Sequence, residues 1–138
     1  MLGDEVATYL AGAGVGLSLS SSGTVVFGVP FPPEAPNAAV CVIEYGGSAP
    51  VDAFGPSLSP SIFEQPRFQV LLRDTSDNLA ACRALANSVY KVLRRYSGLM
   101  GGINYAYVRA LGPVAFLKFD ENQRGYYYCE FEARKAES

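Results

Sequence analysis

Alternating apolar and polar positions predict two long β-strands in the second half of the chain. Over residues 67–73 the apolar side chains recur with a period of two, and the same period returns over residues 126–134. The positions on the two apolar faces are Phe68, Val70 and Leu72 in the first strand and Tyr127, Cys129, Phe131 and Ala133 in the second. Each strand is therefore expected to turn one face toward a core.

A helical repeat follows the first of these strands. Apolar residues recur at helical spacing over residues 77–96, basic residues gather at the end of the stretch, and Gly98 fits the position after a helix C-terminus. The apolar stripe consists of Leu79, Cys82, Ala86, Val89, Tyr90 and Leu93. This pattern predicts a helix of about 20 residues.

A shorter helix is predicted at the start of the chain. Asp4 and Glu5 would lie in its first turn, where acidic groups suit the helix dipole, and a glycine-rich stretch over residues 12–16 ends it. Its apolar face consists of Leu2, Val6, Tyr9 and Leu10. We expect a short amphipathic helix that packs on the sheet.

Shorter apolar runs complete the expected sheet. They cover residues 17–19, 24–28, 39–45, 103–111 and 114–119. Residues 135–138 are expected to form a solvated tail. The order of helices and strands predicts a single α+β domain over residues 1–138, in which a mainly antiparallel mixed sheet packs against one long helix and a short N-terminal helix.

One long segment, residues 46–65, has no sustained period. It is rich in proline, yet it carries apolar side chains and few charges, whereas a disordered linker should be polar. The apolar residues are Val51, Phe54, Leu58, Ile62 and Phe63. The segment is predicted to be a protruding loop, either an arm or extended hairpin that docks on another chain or an Ω-loop packed on its own domain.

Composition narrows the chemistry that the chain can perform. The 138 residues are 49% hydrophobic and 17% charged, with a net charge of −2, which indicates a globular protein and argues against binding of phosphate backbones by charge. There is no histidine, which removes the commonest general base and zinc ligand. No apolar run approaches the length of a membrane span.

The cysteines fit neither a metal site nor a redox motif. Cys41, Cys82 and Cys129 are far apart in sequence, and their number is odd. We expect three buried, reduced thiols in a protein that folds in the cytosol. No cofactor and no metal ion is expected.

Patterns typical of catalytic sites are present only in part. The glycines of residues 12–16 precede no nucleotide-binding helix, and no serine lies in a nucleophile-elbow motif. The acidic pairs are Asp120 with Glu121 and Glu130 with Glu132. They lack the spacing of a metal site, and a solvated strand face is the simpler interpretation. The sequence therefore predicts no catalytic residues, although an enzyme that uses only carboxylates stays an alternative.

Tyrosines are concentrated in the last third of the chain. They are Tyr105, Tyr107, Tyr126, Tyr127 and Tyr128. Because their charged neighbours are largely acidic, a nucleic-acid platform is not favoured. A half-buried sheet face or a subunit interface is expected, since tyrosine is enriched in interface cores.

Several short motifs, taken in order, resemble one known family. They are Val26-Phe27-Gly28-Val29-Pro30 with Pro32-Pro33, Gly46-Gly47, Gln65-Pro66-Arg67-Phe68-Gln69-Val70-Leu71-Leu72-Arg73, Tyr90-Lys91-Val92-Leu93, Gly112-Pro113-Val114-Ala115-Phe116-Leu117, Asp120-Glu121 and Arg124-Gly125-Tyr126-Tyr127. Their order and spacing are similar to those of the minor capsid or tail terminator proteins of long-tailed, siphovirus-like bacteriophages.

The resemblance implies a structural virion protein. Such a subunit closes into a homohexameric ring at the head-proximal end of the tail tube, stops polymerisation of the tube protein and presents a surface to the connector or stopper proteins of the neck. DNA passes through the lumen without specific binding. The implied location is the tail and neck of the virion, assembled in the host cytoplasm, with no membrane partner.

On this interpretation, the sequence suggests two sets of contact residues. The apolar residues of segment 46–65 are predicted to dock on the tail tube. Charged residues on the long strands are predicted to lie at the head-to-tail subunit contacts, with Arg67 and Arg73 on one side and Glu130 and Glu132 on the other. The alternatives are another connector component, such as a stopper or joining protein, and a small-ligand-binding α+β domain.

Overall fold

The computed structural model describes residues 2–19, 24–51 and 63–136 and shows two helices packed on one face of a mixed sheet. The elements in chain order are α1 (Leu2–Gly12), β1 (Leu17–Ser18), β2 (Thr24–Phe27), β3 (Ala39–Val51), β4 (Phe63–Thr75), a 3₁₀ turn (Ser76–Asn78), α2 (Leu79–Leu93), β5 (Gly98–Met100), β6 (Ile103–Ala110), β7 (Ala115–Phe119) and β8 (Arg124–Ala136). The predicted α+β fold is confirmed.

The sheet is built around two long central strands. Within the described ranges the strand order is β1-β2-β3-β4-β8-β6-β5, and β7 also pairs with β8. β1 and β2 are parallel, as are β2 and β3, whereas all other pairs are antiparallel. β6 and β7 pair with different parts of the same edge of β8. The neighbour of β8 on that edge is therefore β7 near its start and β6 near its end.

The core fills the space between the two helices and one sheet face, called here the helix side. The period-2 prediction for β4 and β8 is confirmed, since Phe68, Val70, Cys129 and Phe131 are fully buried there. The rings of Phe68 and Phe131 stack with centroids 5.3 Å apart. The predicted helix stripe also reaches this core through Cys82, Ala86, Val89 and Leu93.

The end of the long helix differs from the prediction. α2 ends at Leu93, and Arg95 takes the left-handed conformation with a φ of 65°, so Gly98 is not the residue after the helix. Instead Gly98 opens β5, and the turn at Gly101 and Gly102 joins β5 to β6. The Arg95 amide donates to the carbonyl oxygen of Val108, so pairing with β6 holds the chain in place of a glycine cap.

A proline-rich segment covers the sheet face opposite the helices, called here the outer face. This segment, residues 30–38, is held by Arg73, whose guanidinium donates to the carbonyl oxygens of Ala35 and Pro36 at 3.0 and 2.8 Å. The same guanidinium lies 4.3 Å from the ring centroid of Phe31. Cys41 lies under this cover, which explains why it is fully buried although it points away from the main core.

The last strand includes residues 135 and 136, so the prediction that they form a solvated tail is wrong. Lys135 is 1% exposed, and its ammonium lies 2.8 Å from Oε1 of Glu5 in α1. The Tyr105 hydroxyl donates to the same oxygen at 2.8 Å. Burial disfavours the Glu5 carboxylate, but the hydrogen bonds from Lys135 and Tyr105 help to hold its pKa below the ordinary value of 4.5. Lys135, which was predicted to be solvated, is therefore a partner of Glu5 in the interior.

Among the residues that the structure describes, neither helix is long and apolar enough to cross a membrane.

Candidate assembly surfaces

Segment 46–65 is partly a β-hairpin rather than an irregular loop. β3 runs to Val51 and β4 starts at Phe63, and these two residues are paired across the hairpin. Bulges between Glu44 and Gly47 and between Ser48 and Val51 shift the register along it. The structure thus extends the hairpin further than the sequence pattern indicated, because irregular register hides the period of two.

The last residues of β8 hold the base of this hairpin. Phe63 pairs with Ala136, and the Arg134 guanidinium lies 5.1 Å from the centroid of the Phe63 ring. The Lys135 ammonium lies 3.9 Å from a carboxylate oxygen of Glu64. The ends of β3 and β4 are therefore fixed to β8, next to the buried Glu5 pair.

The predicted tail-tube docking residues are only partly within the described ranges. Phe63 is half-buried at the base of the hairpin, and Val51 is its strand partner. Phe54, Leu58 and Ile62 lie outside the described residues. Docking by this segment stays a prediction.

The predicted subunit-contact charges lie together on the outer face of β4 and β8. Glu132 is 3% exposed and accepts hydrogen bonds from Arg67 of β4 at 3.3 Å and from Arg109 of β6 at 2.7 Å. Arg67 pairs directly with Glu132 in the strand register. Because both arginines keep much of their side chain in solvent, Glu132 acts as a buried anchor for two outward-facing guanidinium groups.

Glu130 and Arg73 also have partners inside the chain. The Tyr45 hydroxyl donates to a carboxylate oxygen of Glu130, and burial together with that carboxylate raises the pKa of Tyr45 to about 12. Arg73 is 7% exposed beneath the proline-rich segment 30–38. Of the four predicted contact residues, Arg67 is the one classed as exposed, and Glu130 is half-buried.

One continuous row of paired residues crosses the sheet at the end remote from the hairpin base. Neighbours in this row are Ser18, Val25, Ala39, Arg73, Tyr126 and Lys118, one from each of β1, β2, β3, β4, β8 and β7. In the described part of the chain, β1 and β7 are therefore the two edges of the sheet at this end.

The β7 edge exposes a cluster of aromatic and aliphatic side chains. Phe116, Leu117 and Phe119 are 43%, 45% and 54% exposed. On the helix side, the Phe116 ring lies 5.1 Å from Phe119 and 5.4 Å from Tyr127, centroid to centroid. The Arg83 guanidinium of α2 lies 5.9 Å from the Tyr127 ring. Edge strands of this composition are typical interaction sites. We call these residues of β7 the β7 edge.

The opposite edge also carries exposed aliphatic residues. Leu19 follows β1 directly and is 56% exposed, and Val29 follows β2 by two residues and is 47% exposed. Both lie past the carboxyl ends of two parallel strands, so they belong to the same margin of the sheet. We call this margin the β1–β2 edge.

The three cysteines are free and buried, as predicted. Burial raises the pKa of Cys41 and Cys129 to about 12 and that of Cys82 to about 11. Cys82 and Cys129 belong to the helix-side core, whereas Cys41 lies on the outer face. None of them has the character of a nucleophile.

Three of the four carboxylates singled out in the sequence, those of Asp120, Glu130 and Glu132, have hydrogen-bond partners. Asp120 accepts hydrogen bonds from the backbone and side chain of Arg124 and from the Tyr126 hydroxyl. Desolvation opposes its charge, but these hydrogen bonds outweigh it and hold the pKa of Asp120 well below its usual range. Within the described ranges, no group of three or more His, Cys, Asp or Glu residues could hold a metal ion.

Glu5, Tyr105 and Lys135 were not predicted from the sequence to form a linked group. One signal was present, because continuing the alternation of β8 beyond Ala133 places Lys135 on the apolar face. The apolar character of the β7 edge was also missed, since exposed and buried strands with the same composition have similar patterns.

Comparison with protein families gives one match that spans most of the chain. Residues 9–136 match the family described as bacteriophage tail terminator protein. No curated protein matches the chain.

Comparison with solved structures shows a similar fold in a virus-like particle. A chain from a structure described as the virion of a native gene transfer agent particle aligns with a TM-score of 0.59 at 16% identity. The alignment covers 96% of this chain and 94% of that chain.

Proposed function

Because this chain belongs to the bacteriophage tail terminator family, we propose that it forms a homohexameric ring on the head-proximal end of the tail tube. The ring stops polymerisation of the tube protein and presents its other face to the connector or stopper protein of the neck. The family match over residues 9–136 is the observation that carries this proposal. In this role the protein is a component of the virion, assembled in the host cytoplasm, and acts without catalysis.

The described surfaces support a protein that works through contacts. Two edges of one sheet carry exposed apolar side chains, and the paired ends of β3 and β4 lie at the opposite end of the sheet. The carboxylates of Asp120, Glu130 and Glu132 are hydrogen-bonded to neighbouring arginine and tyrosine side chains and contribute to the structure of the sheet. The net charge of −2 suits a lumen that DNA crosses without being held.

We propose that the hairpin docks the ring on the tube. Burying one large apolar side chain contributes roughly 1.5–3 kcal/mol, so a few anchors from segment 46–65 suffice to hold a subunit on the tube end. The candidate anchors are Val51, Phe54, Leu58, Ile62 and Phe63.

For the subunit contacts, we propose that the outer face takes part through Arg67 and Glu130. Glu132 acts indirectly by orienting the guanidinium of Arg67, and Arg73 by holding segment 30–38 in place. In a ring with head-to-tail contacts, the outer face of one subunit meets a different surface on the next subunit.

The experiment replaces residues 52–62 with a Gly-Ser sequence of equal length, which leaves the paired Val51 and Phe63 in place. The matched control changes Ser57, Ser59 and Ser61 to alanine and keeps every apolar side chain. Both variants are added to polymerising tube protein, and tail lengths are measured by electron microscopy.

We expect the control to give tails of uniform length and the Gly-Ser variant to fold, with an unchanged thermal midpoint, but to leave tails of uncontrolled length. Unfolding of the Gly-Ser variant would show that the segment is an Ω-loop of its own core. A wild-type protein that binds filled heads but never limits tube length would instead be a stopper or joining protein.

A further inference from the structure

We infer that the ring is closed by edge-to-edge contact between the β7 edge of one subunit and the β1–β2 edge of the next copy of the same chain. The inference rests on the proposed ring and specifies which surfaces form it. The β7 edge presents Phe116, Leu117 and Phe119, and the β1–β2 edge presents Leu19 and Val29.

Most of β7 is exposed to solvent. Residues 116–119 are all exposed, and the strand pairs with β8 alone among the described strands. A five-residue edge strand with two phenylalanines and one leucine in solvent is a liability in a free monomer, since it invites pairing with another chain. Lys118 is the one charged residue of β7, and a charge on an edge strand disfavours pairing with other chains. It points to the outer face, where its ammonium lies 5.4 Å from the Tyr126 ring centroid. The helix-side phenylalanines are left uncovered.

The two edges lie far apart in the sheet. They are the two ends of one row of paired residues that crosses six strands, from Ser18 to Lys118. Five spacings between neighbouring strands separate them by roughly 24 Å. The edges are therefore the first and last strands of this row, and they offer two different surfaces to neighbouring copies.

The symmetry of a ring also requires a pair of different surfaces. A ring of identical subunits needs two different surfaces on opposite sides of each copy, because a surface that pairs with itself gives a closed dimer. The two apolar edges meet this requirement: one is rich in aromatic residues and the other is aliphatic. The twist between neighbouring strands turns each copy relative to the last, which lets such a contact curve into a ring.

The hairpin base lies at the other end of β4 and β8, where Phe63 pairs with Ala136. Edge contacts at the β7 end consequently leave the hairpin free to reach the tube. The edge contact and the tube contact then use separate parts of the molecule, and each can be removed without the other.

Cross-linking tests this arrangement directly. Phe119→Cys and Leu19→Cys are made singly and together in the full-length protein, and a short bismaleimide is the probe. The native thiols are buried, so only the introduced cysteines react in the folded protein. We expect no covalent product from either single variant, covalent dimers from a mixture of the two, and a ladder ending at the closed ring from the double variant.

A second measurement uses a charge at each edge. Phe119→Lys should weaken assembly at least about tenfold by light scattering, because an unpaired ammonium would be buried in the contact. Leu99→Lys is the matched control, since Leu99 is 64% exposed on β5, away from both edges. Thermal midpoints verify that each variant is folded.

Three results would overturn the inference. Covalent dimers from Phe119→Cys alone would show that the β7 edge meets itself. Rings that form without cross-links, and that Phe119→Lys leaves unchanged, would place the subunit contact elsewhere while the proposed function stands. A wild-type protein that forms no ring, alone or on tail tubes, would refute the proposed function together with the inference.

Discussion

The ammonium group of Lys135 lies 2.8 Å from a carboxylate oxygen of Glu5, although 130 residues separate them in the chain. The pair is buried and joins the first helix to the last strand. Its neighbours are the Tyr105 hydroxyl, which shares the same oxygen, and Glu64 at the base of the hairpin. The two ends of the domain and the hairpin thus meet at one charged cluster.

Removal of one partner of this pair should destabilise the domain strongly. Lys135→Met removes the ammonium that lies 2.8 Å from the buried Glu5 carboxylate, so we expect a loss of about 3–5 kcal/mol in the free energy of unfolding. The double variant Glu5→Leu with Lys135→Met removes both charges and should lose much less. Urea unfolding of the two variants and the wild type measures the difference. Equal losses of unfolding free energy in both variants would show that the pair stabilises the domain through packing rather than through its charges.

The stability that Glu5 contributes should depend on pH with a definite sign. Its pKa in the folded protein lies below the ordinary value of 4.5, so the contribution is fully present above that value and is lost as pH falls through the folded pKa. The difference in unfolding free energy between the wild type and Glu5→Gln should therefore be constant near neutral pH and shrink in acid. Urea unfolding at neutral pH and at two pH values below 4.5 tests this. A difference that grows in acid would contradict the assignment.

A close backbone approach seats α1 on the sheet. A side chain at Gly3 would overlap the carbonyl oxygen of Gly28, just after β2. Gly3→Ala should therefore cost about 2–3 kcal/mol in unfolding free energy. Gly12→Ala is the control, because nothing lies within 4 Å of the added methyl group there. Thermal unfolding of both variants measures the change in stability. An unchanged stability of Gly3→Ala would mean that α1 shifts away from Gly28 at little cost in free energy.

Arg73 should protect Cys41 from modification. Arg73→Ala removes two hydrogen bonds to segment 30–38 and the contact with Phe31, so the segment should lift from the outer face. We expect native-state alkylation of Cys41, located by mass spectrometry, with Cys129 still protected in the core.

Arg67→Ala is the control for this experiment, because Arg67 lies on the same strand face without contact to segment 30–38. Its three thiols should stay unreactive. Labelling of Cys129 along with Cys41 in the Arg73 variant would indicate general unfolding instead.

Much of the fold could be predicted because a strand or helix with one buried face has apolar residues at a regular spacing. Phe68, Val70 and Leu72 alternate with polar residues since one face of β4 meets the helices, and the α2 stripe repeats for the same reason. The prediction was wrong where the backbone departs from the regular geometry that the pattern of apolar residues implies. Bulges break the alternation of β3, and hydrogen bonding to Val108 lets Arg95 take a conformation that favours glycine.

The candidate contact residues could be selected by type but not by environment. Arg67 and Arg73 look alike in sequence, since both are arginines on the same face of one strand. In the structure Arg73 lies under segment 30–38, whereas Arg67 reaches solvent from its partner Glu132. That distinction depends on how a remote segment crosses the outer face, and no local pattern records it.

The sequence by itself determined the α+β class, the helix side of the central strands, the burial of the thiols and the family, because each depends on residue type and short-range spacing. The tertiary structure decided which charges are interior partners and which apolar residues stay exposed. Lys135 and Glu5 look like surface residues, and Phe116 and Phe119 look like core residues. Whether such a side chain is covered depends on elements distant in sequence that pack over it, and only the folded arrangement of strands and helices sets that.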